Sequence, residues 1–163
     1  MGKSTTLLRD SPAIIMSTDS KSKVSVIIPV YNDNQSLRLC LQALEKQTYP
    51  KECYEIIVVD NNSRENVSDV TREFAQVRLV HEAQPGSYIA RNRGLTVATG
   101  DIIAFTDADC IPTPQWIEQG VATLLSKPNV GLVAGHIDLF PENVNNPNPF
   151  ELYEMLEMSF PQD

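Results

Sequence analysis

Two aspartates, Asp107 and Asp109, stand one residue apart directly after an apolar run at 102–105. In an extended segment, side chains at positions i and i+2 point to the same side, so the two carboxylates would lie close together. At about 6 Å and an effective dielectric constant of about 20 their repulsion is roughly 3 kcal/mol, which a divalent cation would relieve. Mg²⁺ and Mn²⁺ are typically held by one or two carboxylates together with substrate phosphates. The pair therefore predicts a metal-assisted phosphate site.

Polar residues also follow two earlier apolar runs of the chain. The run at 24–28 leads into Pro-Val-Tyr-Asn at 29–32, and the run at 56–59 leads into Asp60. The Asp-x-Asp spacing alone is common in loops, and each other residue alone can be explained as a helix cap or as space filling. In open parallel α/β sheets, however, ligands bind beyond the carboxyl ends of the strands. Together these residues predict one ligand site at one edge of a sheet.

The segment at 86–94 supplies positive charge to the predicted site. It reads Gly-Ser-Tyr-Ile-Ala-Arg-Asn-Arg-Gly and is predicted to begin a helix whose first amides face the ligand, together with Arg91 or Arg93. The alternative is that the arginines lie on a solvated surface, and for Arg93 the two interpretations are equally favoured. Gly94 and Gly100 are expected to permit close packing and a tight turn.

The elements that would position these residues alternate between strands and helices, which predicts an α/β fold with a mostly parallel sheet flanked by helices. The three apolar runs named above are continuous rather than alternating, which is typical of strands buried on both faces. Shorter apolar runs predict two further strands, at 77–80 and 130–134. Helical periodicity predicts helices at 37–44, 67–74 and 89–97, and a fourth from Pro114 onward. A loop is predicted at 141–149, followed by a last helix at 150–158.

Charge and length narrow the classes of function. The chain has 163 residues, of which 21 are acidic and 13 basic, for a net charge of -8. Such a surface repels nucleic acids and anionic membranes at long range, so nucleic acid is not expected as a partner. An anionic ligand would need an imported cation. Residues 1–22, rich in Ser, Thr and Lys, are predicted to be a flexible arm, and 23–163 a single domain.

Cysteine usage and hydropathy bear on localisation. The three cysteines have no metal-ligand spacing, which indicates free thiols in a reducing compartment. No apolar run approaches the roughly 20 residues that cross a bilayer. The predicted location is therefore cytoplasmic, either free or peripheral to the inner face of a membrane.

Four segments, at 26–32, 57–63, 90–94 and 100–109, occur in an order and spacing that resemble a known family. Together they are similar to the N-terminal, nucleotide-sugar-binding half of family 2 glycosyltransferases, which have the GT-A fold. The resemblance covers about residues 24 to 140. It implies a GT-A domain here and a nucleotide-diphosphate sugar as donor.

For the nucleobase side of the site, the resemblance implies that Pro29, Tyr31 and Asn32 line the pocket. Asp60 would accept a hydrogen bond from the base or the ribose. The second motif of the family usually reads Asp-Asp-Gly-Ser, and here Asn-Asn at 61–62 replaces Asp-Gly. Since the first aspartate of the motif is present, base recognition is expected to persist.

For the diphosphate side, the resemblance implies that Gly86 and Arg91 lie near the ribose and diphosphate. Asp107 would contact the ribose or the hydration shell of the metal, Asp109 would bind the metal directly, and Ala108 between them would line the donor site. The cofactor would be Mn²⁺ or Mg²⁺, and Asp107 and Asp109 would be the catalytic residues.

The general base is the part of the family pattern that this sequence does not show. Glu151, Glu154 and Glu157 are spaced as one face of a solvated helix, and no other candidate stands out. The chain is therefore expected to be either part of a longer enzyme that lacks the acceptor-side half, or a complete protein that binds without transferring. The first hypothesis is a glycosyltransferase that inverts the anomeric centre, with a saccharide or lipid-linked acceptor. The alternative is a non-catalytic nucleotide-sugar-binding module, and a nucleotidyltransferase is disfavoured because no Gly-rich loop follows the first strand.

Overall fold

The computed structural model describes residues 21–138. The chain divides into two compact units, residues 1–117 and 118–163, and the sheet lies in the first. The described elements, in chain order, are β1 Val24–Val30, α1 Asn34–Leu44, a 3₁₀ helix Lys51–Cys53, β2 Tyr54–Asp60, α2 Ser68–Thr71, β3 Val77–His81, α3 Ser87–Leu95, β4 Ile102–Phe105 and α4 Trp116–Leu125.

The four strands form one parallel sheet in the order β3-β2-β1-β4. The central strands β1 and β2 are almost wholly buried, as their continuous apolar sequences require. The register pairs Val30 at the end of β1 with Asp60 at the end of β2, and Ile27 with Phe105 at the end of β4. The predicted α/β fold with a parallel sheet is confirmed, and the three polar strand ends lie along the same edge.

The prediction that all three apolar strands are buried on both faces is wrong for β4. Its residues are only partly buried, and Phe105 is 44% exposed. Within the described residues β4 pairs with β1 alone, so its other edge carries no neighbouring strand. An apolar run thus predicted the strand correctly but not its place at the edge of this sheet.

β1 continues to Val30, two residues beyond the apolar run at 24–28. Backbone groups of successive residues in a strand point to alternate neighbours. Thr106 donates its amide to the carbonyl of Ile27, and Asn61 donates to that of Val30, so odd-numbered residues here face β4. Pro29 therefore directs its nitrogen toward β4, which has already ended opposite Ile27. No sheet hydrogen bond is lost, and proline is tolerated.

The helices next to the site are placed by capping and close packing. Asp33 caps α1 by accepting a hydrogen bond from the Ser36 amide at 3.0 Å, and α1 buries its predicted apolar face. α3 packs across β1 and β2, with Gly94 against Ile27. A Cβ at position 94 would lie 2.5 Å from Cγ2 of Ile27, so the close approach of helix and strand requires glycine there.

The opposite edge of the sheet is held by the carboxylate of Glu55 in β2. It accepts hydrogen bonds from the hydroxyl of Ser25 at 2.7 Å and from the amide and hydroxyl of Thr99 at 2.8 and 2.6 Å. The Ser25 hydroxyl in turn accepts from the amide of Gly100 at 2.8 Å. Burial acts to raise the pKa of Glu55, but these hydrogen bonds and the nearby charge of Lys23 outweigh it and lower the pKa. The network fixes the entry of β4 beside β1 and β2.

Two predictions near the end of the described residues are corrected. Residues 130–134 are not a strand; the Val130 amide instead bonds the carbonyl of Lys127 in a turn, and no described strand lies beside the segment. Pro114 lies in the turn before α4 rather than in its first turn, because the helix begins at Trp116. The predicted loop at 141–149 and helix at 150–158 lie outside the described residues.

In the part of the chain that the structure describes, no helix has the length and apolar character needed to cross a bilayer.

Candidate functional site

An open cavity of about 530 Å³ lies at the carboxyl edge of the sheet. Its volume is in the range typical of small-molecule sites. Every predicted site residue except Asn32 and Asp60 lines it: Pro29, Tyr31, Gly86, Arg91, Asp107, Ala108 and Asp109. The topology therefore brings together the ends of β1 and β4 with the start of α3, as the polar strand ends predicted.

An ion pair joins Arg91 and Asp107, which both line the cavity. Arg91 is only 25% exposed, whereas Asp107 is 54% exposed. The guanidinium also lies over the ring of Tyr88, 5.9 Å from its centroid. Because Arg91 is cationic, it relieves part of the repulsion between Asp107 and Asp109. A bound metal is therefore not the only cation that can offset the charge of this pair. Arg91 also leaves donors of its planar fork available to a second anion.

The Asp-x-Asp segment is a turn rather than the extended strand end assumed from the sequence. β4 ends at Phe105, and the Cys110 amide then bonds the carbonyl of Asp107 at 3.2 Å. The same carbonyl accepts from the thiol of Cys40 at 3.7 Å, and burial raises the pKa of that thiol to about 12. Both aspartates nevertheless line the cavity.

The carboxylates of the Asp107–Asp109 turn fit one kind of metal site. Asp109 is exposed, and within the described residues its carboxylate accepts one hydrogen bond, from the Cys110 thiol at 3.9 Å from Oδ1. No cluster of three or more acidic, His or Cys side chains that could hold a metal is present among residues 21–138. A closed protein cage for a metal is therefore absent from this part of the chain. Two carboxylates at the rim do fit a Mg²⁺ or Mn²⁺ ion that takes its other ligands from phosphate and water.

Asn32 and Asp60 hold the loops after β1 and β2 and are not among the residues that line the cavity. Asp60 accepts the Ser63 amide at 2.9 Å and has His81 Nδ1 at 3.4 Å from its other oxygen. Asn32 has φ 51°, accepts the Arg64 amide at 2.7 Å and donates its own amide to the Ser63 hydroxyl at 3.0 Å. These contacts tie the two loops together. A direct contact between either residue and a nucleobase stays a prediction.

Asn61 is a lining residue that the sequence interpretation treated only as a departure from the family motif. Its side-chain oxygen accepts the Gly86 amide at 2.8 Å, and its nitrogen donates to the carbonyls of Glu82 at 3.3 Å and Gln84 at 2.7 Å. The residue is 6% exposed. The sequence held one indication of this role. The side chain of asparagine both donates and accepts hydrogen bonds, whereas an ionised aspartate can only accept them.

The N-terminus of α3 faces the cavity without a side-chain cap. Gly86, the N-cap residue, has φ 137°, a conformation that residues with a side chain rarely adopt. The carbonyl of Gly86 accepts the Ala90 amide at 3.0 Å. The amides of residues 87–89 are therefore the ones that have no acceptor within the helix. Gly86 and Ser87 both line the cavity. An anion placed there would meet these amides and the positive end of the helix dipole.

Comparison with known proteins gives related sequences and folds. The chain is 40% identical over 141 residues to glycosyltransferase AglE of Haloferax volcanii, which covers 83% of this chain and 46% of that protein. The fold matches the mannosyltransferase PcManGT of Pyrobaculum calidifontis in complex with GDP-Man and Mn²⁺, with a TM-score of 0.61, 31% identity, and coverage of 69% and 35% of the two chains. It also matches TarS 1–349 of S. aureus in complex with UDP-GlcNAc, with a TM-score of 0.57, 27% identity, and coverage of 63% and 31%.

These matches confirm the GT-A fold predicted from the sequence. The chain spans less than half the length of the curated relative named above. The family model for glycosyl transferase family 2 matches residues 25–162, which includes every residue that lines the cavity and all of the sheet except Val24. The chain therefore belongs to glycosyl transferase family 2.

Proposed function

We propose that this chain forms the donor-binding part of a glycosyltransferase that uses a nucleoside diphosphate sugar. The observation that carries the proposal is the cavity at the carboxyl edge of the sheet, where Arg91 and the Asp107–Asp109 turn meet the open start of α3. Solved relatives with the same fold were crystallised with GDP-Man and Mn²⁺ and with UDP-GlcNAc. A nucleoside diphosphate sugar of this general chemistry is the ligand that the cavity fits best.

The wall formed by the end of β1 would hold the nucleobase. Pro29 and Tyr31 both line the cavity, and Tyr31 is 59% exposed, so its ring is available for stacking. Asn62 extends this wall in a left-handed conformation, φ 64°. These groups offer an apolar surface with polar edges, which suits a base and ribose.

The opposite side of the cavity would hold the diphosphate. Arg91 and the first amides of α3 would donate hydrogen bonds to its oxygens. A Mg²⁺ or Mn²⁺ ion held by Asp109, with Asp107 beside it, would supply further positive charge for the departing diphosphate. The acceptor hydroxyl would attack the anomeric carbon and give its proton to a general base, while the bond to the nucleoside diphosphate breaks and that group leaves. The single displacement would invert the anomeric centre, so no covalent nucleophile of the protein is required.

Calorimetric titration with UDP and with GDP, each with and without Mn²⁺, tests donor binding. We expect saturable binding of one of the two that Mn²⁺ strengthens, and the Asp109→Ala variant should lose this strengthening while retaining its fold. Binding that is unaffected by both the metal and the variant would contradict the proposal. Asp101→Ala is a matched control, since this exposed aspartate accepts a bond from the Lys23 amide far from the cavity.

One observation favours a non-catalytic nucleotide-sugar-binding module as a second candidate. Among the described residues, the carboxylates that line the cavity are Asp33, Asp107 and Asp109. Asp33 caps α1, Asp107 pairs with Arg91, and Asp109 is the proposed metal ligand. None of them is therefore placed to deprotonate an acceptor. Saturable donor binding by the full gene product, with neither sugar transfer nor slow donor hydrolysis, would establish this second function instead.

A further inference from the structure

The amide of Asn61 connects the end of β2 to the segment that leads into α3. The oxygen accepts a hydrogen bond from the Gly86 amide, and the two N–H groups donate to the carbonyls of Glu82 and Gln84. The side chain is buried, and the three contacts span 21 to 25 residues along the chain. A buried amide with every group satisfied fixes the backbone that it contacts.

The contacts of Asn61 explain why this position requires an amide rather than a carboxylate. A carboxylate could still accept from Gly86, but it would face the carbonyl oxygens of Glu82 and Gln84 and repel them. Alanine would leave the same two carbonyls and the Gly86 amide without partners. Both changes would release the segment at 82–86.

The backbone held by Asn61 ends at the start of α3. Gly86 is the N-cap of that helix and has the left-handed φ of 137°. Arg91, on the second turn of the same helix, forms the ion pair with Asp107. The position of Gly86 therefore determines where the first amides of α3 lie. Through the helix it also determines where the guanidinium of Arg91 lies in the cavity.

We propose that Asn61 is a positioning residue for the diphosphate of the donor. Both donors of its amide already serve the segment at 82–86, so they are not available to a nucleobase. Asn61 holds the start of α3 in the cavity that the Asp107–Asp109 turn also lines. This inference rests on the proposed donor-binding function.

Paired titrations of Asn61→Asp and Asn61→Ala with a nucleoside diphosphate and with its nucleoside test this role. With Mn²⁺ present, both variants should bind UDP or GDP about tenfold more weakly than the original protein. Their affinity for uridine or guanosine should change less than about twofold, a split that general destabilisation of the fold would not produce. Asn92→Asp is the matched control, since it adds the same charge on the exposed face of α3 and does not line the cavity.

Three outcomes would overturn the inference in distinguishable ways. Unchanged diphosphate affinity in both variants would show that the segment at 82–86 does not need Asn61. Equal losses for nucleoside and diphosphate would indicate that Asn61 contributes to the base pocket instead. If the original protein binds no nucleotide under any condition, the proposed function fails and the positioning role fails with it.

Amide hydrogen exchange on the unaltered protein provides a test that needs no variant to fold. The Gly86 amide, held by Asn61, should exchange more slowly than the Ser87 amide. Saturating nucleotide with Mn²⁺ should slow exchange at 87–89, where the open amides would meet the diphosphate. If nucleotide binds and exchange at 87–89 does not change, the diphosphate does not lie there and the inference is wrong.

Discussion

The Arg91–Asp107 ion pair connects α3 with the turn that follows β4. One carboxylate of the Asp-x-Asp pair is matched by a cation of the protein, while the other, Asp109, is exposed at the rim. The two aspartates are thus unequal before any ligand arrives. This favours Asp109 as the metal ligand and Asp107 as the residue that orients Arg91.

Replacement of Arg91 by alanine should weaken binding of UDP or GDP by about tenfold in the presence of Mn²⁺, because a charge-assisted hydrogen bond to the diphosphate is lost. Arg93→Ala should leave binding unchanged, since this exposed arginine donates to the Thr96 hydroxyl at 3.3 Å on the outer side of α3. Fluorescence or calorimetric titration of the two variants side by side measures the difference. Equal effects of the two changes would show that only general charge matters.

The strands depend on a polar network at the edge opposite the cavity. Glu55 joins β2 to β1 through Ser25 and to the entry of β4 through Thr99. Gly100 approaches so closely that an added Cβ would lie 2.6 Å from the Ser25 nitrogen, which explains the glycine. The network holds the segment that leads into β4 beside β1 and β2.

The lowered pKa of Glu55 predicts a pH-dependent contribution to stability. Because the folded-state pKa lies below the unfolded value, the contribution is fully present above the unfolded value and is lost as the pH falls through the folded one. Glu55→Gln should lower the free energy of unfolding by about 1–2 kcal/mol at neutral pH. In urea denaturation series, the difference from the original protein should shrink as the pH falls below about 4.

Glu52→Gln is the control for this experiment, since Glu52 is exposed on the short 3₁₀ helix. Its effect on the unfolding free energy should be small at every pH. A pH-independent difference for Glu55→Gln would mean that the network does not depend on the charge of the carboxylate.

At the scale of the whole molecule, the net charge of -8 opposes the binding of any phosphate ligand. A cavity that contains Arg91 and the start of α3 concentrates positive potential locally, but long-range repulsion still acts on an approaching anion. A divalent metal that arrives with the nucleotide lowers the charge of the ligand. The metal dependence proposed for this site thus also follows from the composition of the chain.

The association rate for UDP or GDP should therefore show a salt dependence opposite to the one expected for a basic protein, whose attraction for an anion weakens as salt is added. Without Mn²⁺, a higher NaCl concentration should speed association, because salt screens the repulsion between two anions. With Mn²⁺ the salt effect should be smaller. Stopped-flow measurements at low and high NaCl test this, and slower association with added salt in the absence of metal would show that local attraction dominates instead.

The sequence by itself determined the order of strands and helices, the parallel sheet and the edge at which the site lies. Continuous apolar runs and helical periodicity are local properties, and the carboxyl ends of parallel strands must share one edge, so these features follow without knowledge of any contact. The residues to which the family resemblance assigned a role line the cavity, apart from Asn32 and Asp60, whereas Asn61 lines it without having been assigned one.

Only the tertiary structure decided which polar groups meet within that edge. The contacts of Arg91 with Asp107 and of Asn61 with Gly86 join residues 16 and 25 positions apart, and they depend on register, turn geometry and helix placement together. The edge position of β4 and the turn at Asp107–Cys110 have the same origin, because burial and backbone direction at a strand end are set by neighbouring strands rather than by local sequence.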